Sequence, residues 1–151
     1  MKERFENFTV LIAKINRYIK KIKTTEMEEL NLKGPHVSCI YYIHKNGHLT
    51  PKELCEICQE DKALVSRSLE TLDKQGFLQE NNSKKKYRKS ISLSEKGKKA
   101  GKWVAGKIDS ILSLASKGLT EEKRLVMYEG LSLIGRNLEK ICKDYGEKNG
   151  N

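Results

Sequence analysis

Apolar residues recur at helical spacing at both ends of this 151-residue chain, and this repeat limits what it can fold into. In the first segment the steps alternate between three and four residues, through Phe5, Phe8, Ile12, Ile15, Ile19 and Ile22. The last segment repeats these steps through Met127, Leu131, Ile134, Leu138, Ile141 and Tyr145. Such spacing predicts two long amphipathic helices, the second with a coiled-coil-like seam. Because one small core cannot bury both stripes, they predict a dimer; an intramolecular bundle is the alternative.

Start and stop signals between these ends predict three further helices. The first occupies about residues 34–46. Thr50 is expected to cap the second helix, with Glu53 as its capping-box partner and a proline between them. Asp61 can cap the third, and Gly76 is its expected left-handed stop. Two short helices joined by a few residues predict a helix-turn-helix.

The second and third of these helices each have a predicted buried side. For the second it comprises Leu54, Ile57 and Cys58, and for the third Val65, Leu69 and Leu72. The opposite side of the third helix carries Lys62, Ala63, Ser66, Arg67, Glu70 and Thr71. Its residues are mostly small, polar or charged, which suits either a solvated face or a helix that enters a groove.

A short hairpin is expected next. Residues 77–79 and the alternating residues 89–94 predict two strands. The tip between them is basic and holds Lys84, Lys85, Lys86 and Arg88.

Two C-terminal helices follow the hairpin, and their expected caps are Ser94 and Thr120. The first of these helices has an apolar stripe of Val104, Ile108, Ile111, Leu112 and Ala115.

The order of these elements predicts a fold that is mainly α with a small β-hairpin wing. Residues 34–100 are expected to form a winged helix-turn-helix lobe, and residues 1–30 and 101–147 a helical dimerisation region within one subunit.

The formal net charge of +10 is concentrated in residues 61–102, which carry +7, whereas residues 121–147 carry −1. This basic block favours a phosphate-binding surface, and a lysine-rich solubility surface is the alternative.

In a winged helix-turn-helix the helix at 62–75 is the recognition helix. Small side chains at Ala63, Ser66 and Ser68 would let it approach base edges, and Arg67 could contact guanine or a phosphate. Leu64 could touch a thymine methyl group or pack inward. A protein-interaction module with an acidic partner or RNA remains a different-class alternative. Such a surface would more often expose aromatic residues, and this helix has none.

Three motifs make the chain resemble the MarR family of transcriptional regulators: LTPKELCEIC, DKALVSRSLETLDKQGFL and ISLSEKGKK. The resemblance covers the full length, with specific motifs in about residues 49–100. It implies a homodimer, usually a repressor, on a pseudo-palindromic operator, with recognition helices in successive major grooves about 34 Å apart. A small-molecule effector or an oxidant would release the DNA.

The resemblance also assigns residues. The implied DNA-binding set is Thr50, Lys62, Ala63, Leu64, Ser66, Arg67, Thr71, Lys84, Lys85, Lys86 and Arg88. Arg17 and Tyr42 are candidates for an effector pocket, and lining the core is their plainer role. One departure concerns the wing, where Lys85 and Tyr87 stand in place of the family's frequent aspartate and arginine. No acid would therefore fix the pose of a basic wing residue.

The cysteines and histidines invite chemical interpretations. Cys55 and Cys58 form a C-x-x-C, but zinc needs four ligands and there is no second such pair. They are a redox candidate, with simple packing as the alternative. The spacing of His36, His44 and His48 favours no metal site. No metal, cofactor or catalytic constellation is therefore expected, and the chain is not expected to be an enzyme.

The sequence also predicts the compartment. No stretch approaches the ~20 apolar residues of a membrane span, and the N-terminus lacks the apolar core of a signal peptide. We therefore expect a cytoplasmic protein with reduced cysteines.

Overall fold

A computed structural model describes residues 2–79 and 90–148 of the chain. Its helices are α1 (Lys2–Glu26), α2 (Gly34–Asn46), α3 (Pro51–Cys58), α4 (Lys62–Lys74), α5 (Glu95–Ala115) and α6 (Glu121–Lys148). Two short strands, β1 (His48–Leu49) and β2 (Ile91–Ser92), and a 3-10 turn (Glu28–Leu30) complete the elements. The predicted fold, mainly α with a small β element, is confirmed.

The chain divides into two compact units, Met1–Ser110 and Ile111–Asn151, with the boundary inside α5. The core of the first unit is built around α2, which packs against α1, α3 and α4. Its fully buried side chains include Val37, Ile40, Ile43, Leu54, Leu72 and Val104. Met27, in the turn after α1, is 1% exposed and belongs to this core although the sequence pattern did not single it out.

The predicted caps of α3 and α4 are confirmed. The backbone N–H of Glu53 donates to Thr50 Oγ1 (3.2 Å), and the N–H of Thr50 donates to Glu53 Oε2 (2.8 Å). At the start of α4, the N–H of Leu64 donates to Asp61 Oδ1 (2.8 Å). Gly76, after the end of α4, has φ +77°, as expected for a helix stop. These local hydrogen bonds fix where the two helices begin and end.

The sheet differs in part from the prediction. β2 pairs antiparallel with β1, placing His48 opposite Ser92 and Leu49 opposite Ile91. The predicted strand at 77–79 contributes only a bridge between Leu78 and Leu93. Beside that bridge, the N–H of Gln79 donates to Ser92 O (3.0 Å). The base of the hairpin therefore forms. Its returning strand, β2, also pairs with β1, which precedes α3.

Gly97 in the first turn of α5 marks a close approach between α5 and the segment that follows α4. A Cβ atom at this position would lie 2.0 Å from the carbonyl oxygen of Phe77. Ser94 secures the same junction, since its Oγ accepts the N–H of Gly97 (3.1 Å) and donates to Gly76 O (2.6 Å). The predicted Ser94 cap is thus confirmed.

The predicted burial of Ile57 is wrong. Its side chain is 38% exposed, whereas Leu54 is fully buried and Cys55 and Cys58 pack against the core. At about 100° per residue, Cys58 and Cys55 lie to one side of Leu54, and Ile57 lies to the other. The buried arc of α3 therefore excludes Ile57.

The second unit contains the end of α5 and all of α6. Gly118, with φ +85°, lies between them, and Thr120 Oγ1 accepts the N–H of Lys123 (3.3 Å), which confirms the predicted cap. Most of the predicted α6 seam is solvent-exposed in the single chain, with exposed fractions of 40% for Met127, 38% for Leu131, 47% for Leu138, 45% for Ile141 and 60% for Tyr145.

Candidate nucleic-acid interface

One side of α4 is anchored in the core of the first unit. Val65, Leu69 and Leu72 are buried, which confirms the predicted inner face. α4 packs against α2 and α3, and the Asp61 cap holds its first turn. These contacts fix the rotation of α4 about its axis, and therefore which residues point outward.

The outward face of α4 displays small and charged side chains. Lys62, Ala63, Ser66 and Arg67 are exposed. The Arg67 guanidinium has no hydrogen-bond or ion-pair partner among the residues that the structure describes. A helix with this face can approach another surface closely and still offer a hydroxyl group and a guanidinium to it.

Two other predicted contact residues on α4 are less open. Leu64 is half-buried, so its side chain divides between the core and the surface. Thr71 is also half-buried, and its hydroxyl donates to the Arg67 carbonyl oxygen (3.0 Å). Their edges flank the face formed by Ala63, Ser66 and Arg67.

Ser68 does not belong to this face, and the prediction that it helps α4 approach base edges is wrong. It is 2% exposed, and its hydroxyl donates to the Leu64 carbonyl oxygen (2.8 Å). Ser68 follows Val65 by three residues and precedes Leu72 by four, so all three share one side of the helix. The Ser68 hydroxyl group therefore makes its hydrogen bond within α4.

Thr50 sits at the entrance to α3, and its hydroxyl is occupied by the cap. Thr50 Oγ1 donates to Glu53 Oε2 (2.8 Å) while accepting the Glu53 N–H. Hydrogen bonds from the Thr50 N–H and hydroxyl lower the pKa of the Glu53 carboxyl group. The structure thus gives Thr50 a role in orienting α3. A contact between Thr50 and DNA stays a prediction.

The predicted wing contacts Lys84, Lys85, Lys86 and Arg88 lie outside the described residues. The structure does describe what holds the two ends of their segment. Lys96 Nζ donates to Gln75 O (2.5 Å) and lies 4.4 Å from the centre of the Phe77 ring. This lysine therefore ties the start of α5 to the exit of α4.

The effector-pocket candidates occupy different helices. Arg17 on α1 is exposed, and its guanidinium lies 5.4 Å from the ring centre of its neighbour Tyr18. Tyr42 on α2 is half-buried, with its ring edge-to-face against Tyr41 at 5.1 Å. Burial raises the pKa of the Tyr42 hydroxyl. Their joint role in a pocket stays a prediction.

The cysteines have a neighbour that the C-x-x-C motif did not reveal. Cys39 of α2, which is 2% exposed, lies close enough to Cys58 to lower the pKa of its thiol. Burial raises the pKa of the Cys55 thiol. In the ranges 2–79 and 90–148, no group of three or more His, Cys, Asp or Glu residues is placed to hold a metal ion. Among the same residues, no helix is long and apolar enough to cross a bilayer.

The comparisons with known proteins agree with this geometry. A model described as "MarR family" matches residues 30–86, which include α2, α3 and α4. The uncharacterized HTH-type transcriptional regulator YybA of Bacillus subtilis (strain 168) is 25% identical over 130 residues, covering 85% of this chain and 87% of YybA. The chain is thus similar to transcriptional regulators of the MarR family.

Solved structures extend the likeness to the MarR-family fold over most of the chain. NMB1585, a MarR family regulator from Neisseria meningitidis, has a TM-score of 0.80 at 17% identity, covering 93% of this chain and 97% of its own. A putative MarR family transcriptional regulator from Listeria monocytogenes, complexed with 26mer DNA, has a TM-score of 0.72 at 25% identity. The match covers 84% of this chain and 85% of the Listeria chain. The winged-helix fold is thus confirmed.

Proposed function

We propose that this chain is a MarR-family, sequence-specific DNA-binding regulator in which α4 reads the major groove. The observation that carries the proposal is the outward face of α4, where Ala63, Ser66 and Arg67 are exposed while the opposite side is anchored in the core. The likeness to a Listeria protein solved with 26mer DNA supports it.

Each residue of that face has a definite chemical use. The Arg67 guanidinium can donate two hydrogen bonds to O6 and N7 of guanine. Ser66 can donate or accept at several base edges, and Ala63 lets the helix backbone come close. Lys62, at the first turn, is suited to a phosphate, and such contacts set the register of the helix without specifying sequence.

We further propose a homodimer that acts as a repressor on a pseudo-palindromic operator. The support is the exposed apolar surface on α1 and, separately, on α6. On α1, Ile15 is 52% exposed and Ile19 is 46% exposed, and on α6 the seam residue Leu131 is 38% exposed. Apolar stripes of this length normally cover one another in an oligomer. Two copies would present two recognition helices to the two halves of an inverted repeat.

The regulatory part of the proposal is release of DNA by a small-molecule effector or an oxidant. Arg17 and Tyr42 are the effector-pocket candidates, because a guanidinium and a phenol together suit an aromatic acid. The wing residues Lys84, Lys85, Lys86 and Arg88 are proposed to hold phosphates or enter the minor groove beside the recognition helix.

Binding to a pool of random duplex DNA, with selection and sequencing at near-physiological salt, tests the DNA proposal. We expect an inverted repeat to be enriched. On that duplex, Arg67→Ala should weaken binding by about 1–3 kcal/mol and relax the base preference at one position in each half-site. Arg136→Ala removes the same charge from an exposed site on α6 and is the matched control. Equal effects of the two substitutions would mean that α4 is not the reading helix.

Light scattering tests the dimer. Leu131→Glu places a charge in the α6 seam and should shift the wild-type dimer to monomer. Leu133→Glu places the same charge at a position that is 52% exposed and outside the seam, and should leave the dimer intact. A monomeric wild type, or a Leu131→Glu variant that stays dimeric, would contradict the proposal.

A further inference from the structure

Three consecutive backbone carbonyl groups follow the end of α4, and each accepts a hydrogen bond from the start of α5. Lys96 Nζ donates to Gln75 O (2.5 Å). Ser94 Oγ donates to Gly76 O (2.6 Å), and the Ser94 N–H donates to Phe77 O (3.0 Å). Because these carbonyl groups lie beyond the last turn of α4, that helix offers them no N–H group. We call the three hydrogen bonds the carbonyl clasp.

The carbonyl clasp closes the base of the hairpin that carries the predicted wing residues. The chain enters this hairpin after Phe77 and leaves it at Ser94. Next to the clasp, the N–H of Gln79 donates to Ser92 O (3.0 Å). The entry and the exit of the hairpin are therefore held together, and both are attached to the end of α4.

Gly76 is the position at which the hairpin would otherwise swing relative to α4. Its φ is +77°, and nothing lies within 4 Å of a Cβ atom added to it. Glycine has the widest choice of backbone angles, so a glycine between a helix and a hairpin can act as a hinge. The clasp binds the carbonyl group of Gly76 and those of both its chain neighbours, and so restrains this hinge.

We propose that Lys96 and Ser94 are positioning residues, which hold the wing at a fixed angle to α4 so that both engage one DNA duplex together. This inference rests on the function proposed above, in which α4 reads the major groove. Neither residue has to touch DNA in this role, because each acts through the backbone of Gln75, Gly76 or Phe77.

A fixed angle matters because the wing and α4 bind the same duplex jointly only if their spacing matches it. When one contact element can swing, part of its binding free energy is offset by the conformational freedom that it loses on binding. Loosening the carbonyl clasp should therefore reduce the contribution of the wing lysines to affinity. The base preference of α4 should stay unchanged.

Lys96 is the member of the clasp that can be replaced with least risk to the fold. It is exposed, whereas Ser94 also accepts the N–H of Gly97 (3.1 Å) and so caps α5. Its ammonium group lies 4.4 Å from the centre of the Phe77 ring, and this cation–π contact adds to the hydrogen bond. Lys96→Met removes both interactions but keeps an unbranched side chain. Lys96→Arg should restore them, since a guanidinium can both donate and stack.

The main test is a double-mutant cycle between Lys96 and the wing. Affinity for the selected duplex is measured for the wild type, for Lys96→Met, for a wing variant with alanine at Lys84, Lys85 and Lys86, and for the combined variant, at a salt concentration at which all four bind. We expect Lys96→Met to weaken binding about fivefold in the wild type and less than about twofold in the wing variant, because it acts through the wing. Lys96→Arg should recover most of the lost affinity.

Lys99→Met is the matched control, because it removes the same charge from an exposed residue one turn further along α5. It should change the affinity by the same small factor in the wild type and in the wing variant. If Lys96→Met weakens binding equally in both, Lys96 contacts phosphate itself or only supports the fold, and the positioning role is refuted. An unchanged affinity of Lys96→Met in the wild-type background would refute it as well.

Hydrogen exchange followed by NMR tests the carbonyl clasp without DNA. We expect the N–H groups of Gln79 and Ser94 to exchange about fivefold faster in Lys96→Met than in the wild type, because the base of the hairpin opens without unfolding of the first unit. The N–H of Ile43, which is 0% exposed in α2, should change less.

Unchanged exchange at Gln79 and Ser94 would overturn the clasp. A wild type that selects no duplex would instead refute the proposed function, and the exchange rates would still decide whether Lys96 holds the base of the hairpin.

Discussion

Replacing Gly97 with alanine should destabilise the first unit, although alanine is the better helix former. The new Cβ atom would lie 2.0 Å from the Phe77 carbonyl oxygen and 3.0 Å from Leu93 Cβ. Because the first neighbour is backbone, it cannot rotate away, and α5 must retreat by about 1 Å from the segment after α4 to restore an ordinary contact.

The size of the effect follows from three contributions. Forcing packed backbone apart typically costs about 1–3 kcal/mol. The same carbonyl accepts the Ser94 N–H at 3.0 Å, and weakening this hydrogen bond costs about 1 kcal/mol. Replacing glycine by alanine inside a helix returns about 1 kcal/mol. We therefore expect Gly97→Ala to lower the free energy of unfolding by about 2 kcal/mol.

Gly106 is the matched control, because it lies on the same helix with nothing within 4 Å of its added Cβ. Gly106→Ala should raise the free energy of unfolding by about 0.5–1 kcal/mol. Urea titrations followed by circular dichroism, at one fixed protein concentration, give both values. If the two substitutions shift the midpoint in the same direction, the close approach at Gly97 does not exist.

Three further predictions follow from the hydrogen bonds of the α3 cap and from the exposure of residues on α4. Thr50→Ala removes the cap of α3 and should lower the free energy of unfolding by about 1 kcal/mol, measured by urea titration. The pKa of Glu53 is lowered in the folded state, so its stabilising effect is complete above the ordinary carboxyl range and is lost as pH falls through the lowered value. The urea midpoints of the wild type and Glu53→Gln should therefore converge as the pH falls from above the ordinary carboxyl range through the lowered pKa, and a constant difference would refute this assignment. Ser66→Ala should weaken binding to the selected duplex, whereas Ser68→Ala should leave it unchanged, because only Ser66 is exposed.

The sequence was most informative where a structure depends on neighbours in the chain. The caps at Thr50 and Asp61 and the stop at Gly76 are hydrogen bonds or backbone angles set within a few residues. Helical periodicity likewise identified Val65 and Leu72 as core. Such features need no knowledge of how distant elements pack, so residue type and spacing were sufficient.

The misses depend on packing between elements. Ile57 and Ser68 were assigned to the wrong side because the width and direction of a buried arc depend on what a helix packs against. The pairing of β1 with β2 joins residues more than forty positions apart through backbone atoms, which leave no mark on residue type. The influence of Cys39 on the pKa of Cys58 likewise acts between two helices, whereas the C-x-x-C motif directed attention to neighbours on one helix.

The β1–β2 pairing has a consequence for how this chain can vary over evolution. Leu49 is 6% exposed and pairs with Ile91, while its neighbour His48 is exposed and pairs with Ser92. An insertion of one residue between Ser92 and Ser94 would slip this register and bring the wrong side chain inward. Insertions or deletions within residues 80–89 lie outside both paired segments and leave the register unchanged. Relatives can therefore alter the length and charge of that basic segment without disturbing the pairing of β1 with β2.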